Sequence, residues 1–166
     1  GFEAATRMVC KRLGIDLIDL PFGCCPPPTS MKLVHYESWL ALAARNICLA
    51  EEQGLDLMTL CSGCVNTLKE ANQVLKKSDS KRRKVNKILE EHNHSFKGTV
   101  QVTHILDVLY QDAVVERLLR EKLIDLPIRV GCHYGCHYFR PPQVMYPEEL
   151  SPAESYGPVK MDHLMC

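Results

Sequence analysis

Two close pairs of cysteines, Cys24 with Cys25 and Cys61 with the Cys64 of a C-S-G-C run, constrain this chain more than any other feature. Four thiolates delivered by two separated segments can grip iron, sulfide or zinc, and they can do so only if the fold brings those segments together. A third group lies far downstream, where G-C-H-Y-G-C-H-Y places Cys132 and Cys136 beside His133 and His137. Nine cysteines in 166 residues are too many for incidental buried thiols. No secretory leader is read ahead of them, and no apolar run approaches the length that crosses a bilayer. The cysteines therefore read as metal ligands of a cytoplasmic protein rather than as the disulfides of a secreted one.

The formal charge is zero and the pI about 7.2, so nothing global draws the chain to nucleic acid or to an anionic membrane. A basic stretch, Lys76, Lys77, Lys81, Arg82, Arg83, Lys84 and Lys87, is the local exception. It reads as a solvated helix face, with a docking patch for an acidic partner as the alternative.

Residues 2–13 carry Ala4, Ala5, Met8, Val9 and Leu13 at helical spacing, and Gly14 permits a stop. I-D-L-I-D-L at 15–20 alternates apolar and acidic residues and predicts a short strand leading toward the first cysteine pair. Pro26 to Pro28 should hold the chain after that pair extended. A long helix is expected over about 33–53, with Leu40, Ala43, Ala44 and Ile47 on one face and Gly54 as terminator. Cys48 inside it, and Cys10 before it, read as small core residues. L-D-L-M-T-L at 55–60 predicts a second strand ending at Cys61, and the run after Cys64 resumes helical spacing. The C-x-x-C pair thus falls at a strand-to-helix junction, where helix-terminal N–H groups stabilise negative sulfur.

A charged helix follows at about 79–91, a strand at 99–104, helices in 105–111 and 113–122, and a last strand near 123–130 that delivers Cys132. Five prolines make 141–158 an extended linker, and a helix begins as the sequence ends. Together these segments predict an α/β fold, a mostly parallel sheet flanked by helices, with the ligands at strand ends. Trp39 and Tyr36 read as core or subunit-contact residues, and His92 and His94 as an incidental surface pair. No Rossmann-type glycine loop or P-loop points to a nucleotide cofactor.

Spacing alone leaves an iron–sulfur group, zinc and dithiol redox chemistry open for Cys24, Cys25, Cys61 and Cys64. Adjacent cysteines diverge around a single zinc ion, whereas a larger iron–sulfur assembly tolerates their separation better. Several runs carry a more specific signal: F-G-C-C-P-P-P-T, S-W-L-A-L-A-A-R-N-I-C-L-A-E-E, G-L-D-L-M-T-L-C-S-G-C, T-L-K-E-A-N and V-G-C-H-Y-G-C-H-Y. In this order they resemble the B subunit of the heterodisulfide reductase of methanogenic archaea, a family with two cysteine-rich CCG domains. The resemblance covers residues 1 to about 140. Pro26 stands where the family name implies glycine, but the paired cysteines are intact.

The resemblance implies two noncubane 4Fe-4S clusters in the full-length protein. Matched by motif, Cys24, Cys25, Cys61 and Cys64 would hold the first, Cys132 would lead the second, and Cys136 would be a further ligand. Cys166 is read as lying in the helix before a later pair. A family domain starts with another cysteine upstream of the paired ones, a position that would fall before Gly1. Residues 1–126 would then be a first CCG domain without its N-terminal ligand segment, and 127–166 the beginning of a second, including the Pro-rich linker.

The activity implied is reduction of the mixed disulfide of coenzyme M and coenzyme B to free thiols, as a subunit of a larger complex. His133 and His137 are the candidate proton handlers. Arg140 is a candidate contact for a coenzyme sulfonate or phosphate, with Lys69 a lesser one. Electrons would come through a ferredoxin-like C subunit and a flavin-containing A subunit, with hydrogenase or formate dehydrogenase behind them. The ultimate donor, dihydromethanophenazine or ferredoxin, stays open. The competing expectations are a CCG-domain reductase acting on another thiol, disulfide or organic substrate, and a zinc-stabilised structural domain.

Overall fold

Apolar spacing and its punctuation set the helices of the computed structural model, which describes residues 1–122, 127–146 and 159–165. Helix α1 spans Phe2–Arg12 and buries Thr6 and Cys10. The helix expected over 33–53 is in fact two, α2 at Ser30–Val34 and α3 at Tyr36–Gln53, because His35 leaves the helical region at φ −140° and ψ 78°. No residue of α2 is buried, whereas α3 buries Trp39, Leu40, Ala43, Ala44, Ile47 and Cys48. The break lets α3 lie along the core while α2 stays outside it. Gly54 ends α3 in the left-handed region at φ +65°, where a side chain would be strained.

Strand β1, Leu57–Thr59, leads into α4, Ser62–Lys77, and α5, Asp79–Glu90. The chain then returns as β2, Val102–His104, parallel to β1 with Leu57 opposite Val102 and Thr59 opposite His104. The return is fixed by carboxylate and amide side chains. Glu51 on α3 accepts the consecutive backbone N–H groups of Lys97, Gly98 and Thr99 at 2.6–2.8 Å, and Asn72 on α4 donates to the Val100 carbonyl at 3.0 Å. Helices α6, Ile105–Leu109, and α7, Asp112–Glu121, follow, then the short α8, Cys136–Phe139, α9, Pro142–Met145, and α10, Lys160–Met165.

The expectation of a mostly parallel sheet needs correction. Among the described residues the sheet is parallel but has two strands of three residues, and most of the described chain is helical. Residues 15–20 form no strand: Ile15, Leu17 and Leu20 are half-buried, and among the described residues no neighbouring strand offers them a ladder. Of the expected strand at 123–130, residues 123–126 lie outside the described residues. The remainder, 127–130, is irregular and exposed, and Pro127 has no N–H to donate. Within the expected linker, α9 buries Val144 and Met145, while residues 147–158 lie outside the described residues.

The core is the packing of α3 on α4 and α5, with Trp39, Ile47, Leu68, Leu75, Val85, Leu89 and Phe96 among its buried side chains. Cys10 and Cys48 are wholly buried, as expected of core thiols, and burial pushes the Cys48 thiol up to about 12. Tyr36 stacks on Trp39 with ring centroids 5.8 Å apart. On α5, Val85 and Leu89 face inward while Lys81, Arg83, Lys84 and Lys87 are exposed, the pattern of a solvated face. His94 pairs with Glu52 at 2.7 Å and His92 is exposed.

Leu68, 2% exposed at the α3–α4 contact, provides a test of this packing. Leu68→Ala should lower unfolding free energy by about 2–5 kcal/mol in denaturant titration. Leu119→Ala, at a position 69% exposed on α7, should stay within about 0.5 kcal/mol of the parent.

Candidate metal centre

The first cysteine pair sits in a loop held from two helices. Asn46, buried on α3, accepts the Gly23 N–H through Oδ1 and donates to the Gly23 carbonyl through Nδ2, both at 3.1 Å. Thr67, buried on α4, donates its hydroxyl to the Pro26 carbonyl at 3.0 Å. The residues flanking Cys24 and Cys25 are thus pinned on both sides, and Pro26 is buried against the helices.

The second pair belongs to the start of α4. Cys61 is its N-cap residue in extended conformation and Cys64 lies in its first turn, so both sulfurs sit where unpaired helix N–H groups favour negative charge. The expectation that regular helix resumes only after Cys64 is corrected by one turn: α4 begins at Ser62.

The pairs meet. Cys25 and Cys64 are neighbours, and the Cys64 thiol proton favours negative charge on the Cys25 sulfur, which holds the Cys25 thiol below its ordinary value and the Cys64 thiol well above it. Asn46 Nδ2 donates to Cys25 Sγ as well, at 3.8 Å. Cys61 likewise influences Cys64, and Cys24 and Cys61 are felt at Cys25. Cys25 and Cys64 are half-buried inner thiols; Cys24 and Cys61 are exposed outer ones.

This donor set suits an iron–sulfur group. It offers four thiols, none tied up in a disulfide. Among the described residues no three thiol, imidazole or carboxylate groups enclose one point as a ready single-ion site. Thiolates are the ligands of iron–sulfur groups, and the Cys61–Cys64 pair lies where helix N–H groups favour their negative charge.

The third cysteine group packs against the same helix end. A Cβ added at Gly135 would come within 2.7 Å of Ser62 Oγ and 3.3 Å of Ser62 Cβ, so the loop carrying Cys132 and Cys136 approaches the residue between Cys61 and Gly63 as closely as glycine allows. Asn66 on α4 donates to the carbonyls of His137 at 3.2 Å and Arg140 at 2.8 Å. Cys132 is half-buried, Cys136 exposed, His133 exposed and His137 half-buried. The Arg140 guanidinium lies over the Phe139 ring, 5.4 Å from its centroid. Lys69 is turned away from the cysteines: it donates to the Met145 carbonyl at 2.8 Å and lines a cleft of about 660 Å³ that none of the cysteines borders.

Four side chains that hold this site were not singled out from sequence: Asn46, Asn66, Thr67 and His104. The first three interrupt otherwise apolar helix faces, which is the signal that would have found them. His104 ends β2. Its Nδ1 accepts the Leu106 N–H at 3.2 Å, leaving Nε2–H to donate to the carbonyl of Leu60, the residue before Cys61, at 3.2 Å. Burial holds its pKa below the ordinary imidazole value.

Behind the third group, Asp107 Oδ1 accepts from the Tyr138 hydroxyl at 2.8 Å and from Lys160 at 2.7 Å. Burial alone would raise the Asp107 carboxyl, but the Lys160 ammonium and the Tyr138 hydroxyl outweigh it and hold it below the usual value.

Two outcomes follow for measurement. A carboxyl lowered on folding stabilises fully above its unfolded value, about pH 3.9, and loses that contribution as pH falls through the lower folded value. Thermal denaturation should therefore show Asp107→Asn less stable than the parent at pH 7, with the gap closing as pH falls below about 4. Gly135→Ala should lower stability by about 1–3 kcal/mol as the loop is pushed off Ser62, detectable as faster amide exchange over 131–137.

Comparison with known proteins places the chain. Residues 1–69 match the family described as CCG, cysteine-rich domain. Over 166 residues the chain is 37% identical to the B subunit of the ferredoxin/F(420)H(2)-dependent CoB-CoM heterodisulfide reductase of Methanosarcina acetivorans, covering 99% of this chain and 54% of that protein. It is 39% identical to the B subunit of the ferredoxin:CoB-CoM heterodisulfide reductase of Methanosarcina mazei, with the same coverage. The chain thus spans about half the length of the curated relatives it matches. A crystal structure of a hypothetical protein from Helicobacter pylori shares the fold over 64% of this chain and 21% of its own, at a TM-score of 0.59 and 19% identity. The chain thus carries a match to the CCG cysteine-rich domain over residues 1–69 and is similar over nearly its whole length to about half of these heterodisulfide reductase B subunits.

Proposed function

We propose that this chain forms part of the disulfide-reducing subunit of a CoB-CoM heterodisulfide reductase, converting the mixed disulfide of coenzyme M and coenzyme B to two thiols. The observation that carries this reading is the meeting of Cys24 and Cys25 with Cys61 and Cys64 at the N-terminus of α4. These four residues would hold a noncubane 4Fe-4S cluster. Cys132 and Cys136 would serve a second such cluster, with 1–126 a first CCG domain and 127–166 the start of the next. When bound, the two clusters supply one electron each to a reaction that needs two electrons and two protons.

The protein's own side chains bind, orient and protonate. His133 and His137, which directly follow Cys132 and Cys136, would deliver the protons that turn the two departing thiolates into thiols. Arg140, whose guanidinium is exposed beside the same loop, would hold an anionic group of a coenzyme with its donor fork. The helix N-terminus stabilises negative charge on the ligating sulfurs. Partner subunits of the ferredoxin-like C and flavin-containing A type would feed electrons, in the cytoplasm. No helix among the described residues is long and apolar enough to cross a membrane.

The full-length protein, purified without oxygen, should be brown and carry iron and acid-labile sulfide in equal amounts. With a reduced low-potential dye it should consume the mixed coenzyme disulfide and release both thiols. Cys64→Ser should lower iron and sulfide content together and cut turnover by at least tenfold. Stoichiometric zinc without visible absorption would overturn the proposal, as would fully loaded protein that is inert toward this disulfide.

A further inference from the structure

An asparagine within a buried helix face is unfavourable unless something repays its amide. Asn46 lies in the middle of α3 and is 1% exposed. It gives up helix propensity relative to alanine, and an unpaired buried carboxamide would destabilise the fold further. Here the carboxamide is fully used. Its Oδ1 accepts the Gly23 N–H and one Nδ2 proton goes to the Gly23 carbonyl, so a single residue of the loop is gripped at both polar groups. The other Nδ2 proton is available to the Cys25 sulfur, 3.8 Å away. Arg45, the neighbouring residue, braces the arrangement by donating to the Pro21 carbonyl at 3.2 Å and to Asn46 Oδ1 at 3.4 Å.

Thr67 supplies an internal comparison. It grips the other end of the same loop at the Pro26 carbonyl, and its one hydroxyl proton is spent there rather than on sulfur. The two clamps therefore share the work of holding the loop, but Asn46 combines that hold with a donor aimed at a candidate ligand atom.

We infer that Asn46 is a positioning residue of the cysteine cluster, fixing the Gly23–Cys25 turn and placing an N–H on the Cys25 sulfur so as to favour the reduced state of an iron–sulfur group held there. This rests on the assignment of Cys25 as a ligand under the proposed function. The physical ground is that reduction adds negative charge to the thiolate sulfurs, and a hydrogen bond to a sulfur stabilises the more negative state. Replacing the amide by a carboxylate keeps the size and an acceptor for the Gly23 N–H, but removes both donors and adds a negative charge beside the sulfur.

The test uses the full-length protein in two states. In metal-free protein, Asn46→Ala should speed amide exchange at Gly23 by at least tenfold while circular dichroism stays unchanged. Unaltered exchange in a folded variant would overturn the positioning role. In anaerobically loaded protein, a redox titration followed by electron paramagnetic resonance should show Asn46→Asp with a tenfold lower reduced-to-oxidised ratio at fixed potential, a shift of about 59 mV for a one-electron couple. Thr67→Val, which loosens the loop without touching a sulfur donor, should stay within twofold of the parent. If Asn46→Asp does not load, Asn46→Ala is titrated in its place and should shift in the same direction. A loaded Asn46 variant within twofold of the parent, or an equal shift in Thr67→Val, sinks this inference alone. A parent protein that takes up no iron and sulfide sinks the functional reading beneath it.

Discussion

Helix α4 holds the molecule together through polar side chains that it buries rather than exposes. Thr67 takes the Pro26 carbonyl, Asn66 the carbonyls of His137 and Arg140, and Asn72 that of Val100. These bonds reach carbonyls in loops and in the short helix α8 and its cap. Leaving such groups unpaired in the interior costs about 1–3 kcal/mol apiece, so the loops have strong reason to stay where the helix places them. A two-stranded sheet of three-residue strands is too small to organise a domain. The helix does that instead, and because its first turn carries Cys61 and Cys64, the element that gathers the loops also bears half of the candidate ligands.

Electrostatics at the cluster follow from this placement. The sulfurs of the second pair lie at the positive end of a sixteen-residue helix, and the first pair is brought up to them by Asn46 from one side and Thr67 from the other. Cys25 accepts an Asn46 N–H and has the Cys64 thiol beside it, so one sulfur is already the focus of donors. Metal–thiolate sites need this kind of support from residues beyond the ligands.

Much of this was legible in the sequence. Periodic apolar residues located α1, α3, α5 and α7, Gly54 marked the end of α3, and the C-x-x-C pair was placed correctly at a strand-to-helix junction. The sheet was overread because period-two alternation such as that at 15–20 looks alike whether or not a partner strand exists, and pairing is a tertiary fact. The supports of the site were missed for a related reason. Asn46, Asn66 and Thr67 occupy core-facing positions where local pattern reads a polar residue as an imperfection, and their value appears only when the distant carbonyl arrives. Lys69 shows the converse: close to the cysteines in sequence, it bonds the Met145 carbonyl on another flank.

The contact of Gly135 with Ser62 ties the chain's two cysteine regions at one point with no slack. Gly135 packs on the Ser62 side chain, between Cys61 and Cys64, so the downstream loop cannot move inward without pressing on the first turn of α4. Such a seam acts as a mechanical gauge: a ligand or subunit that pressed the 131–136 loop inward by the width of a methyl group would be felt at the first turn that bears the upstream sulfurs.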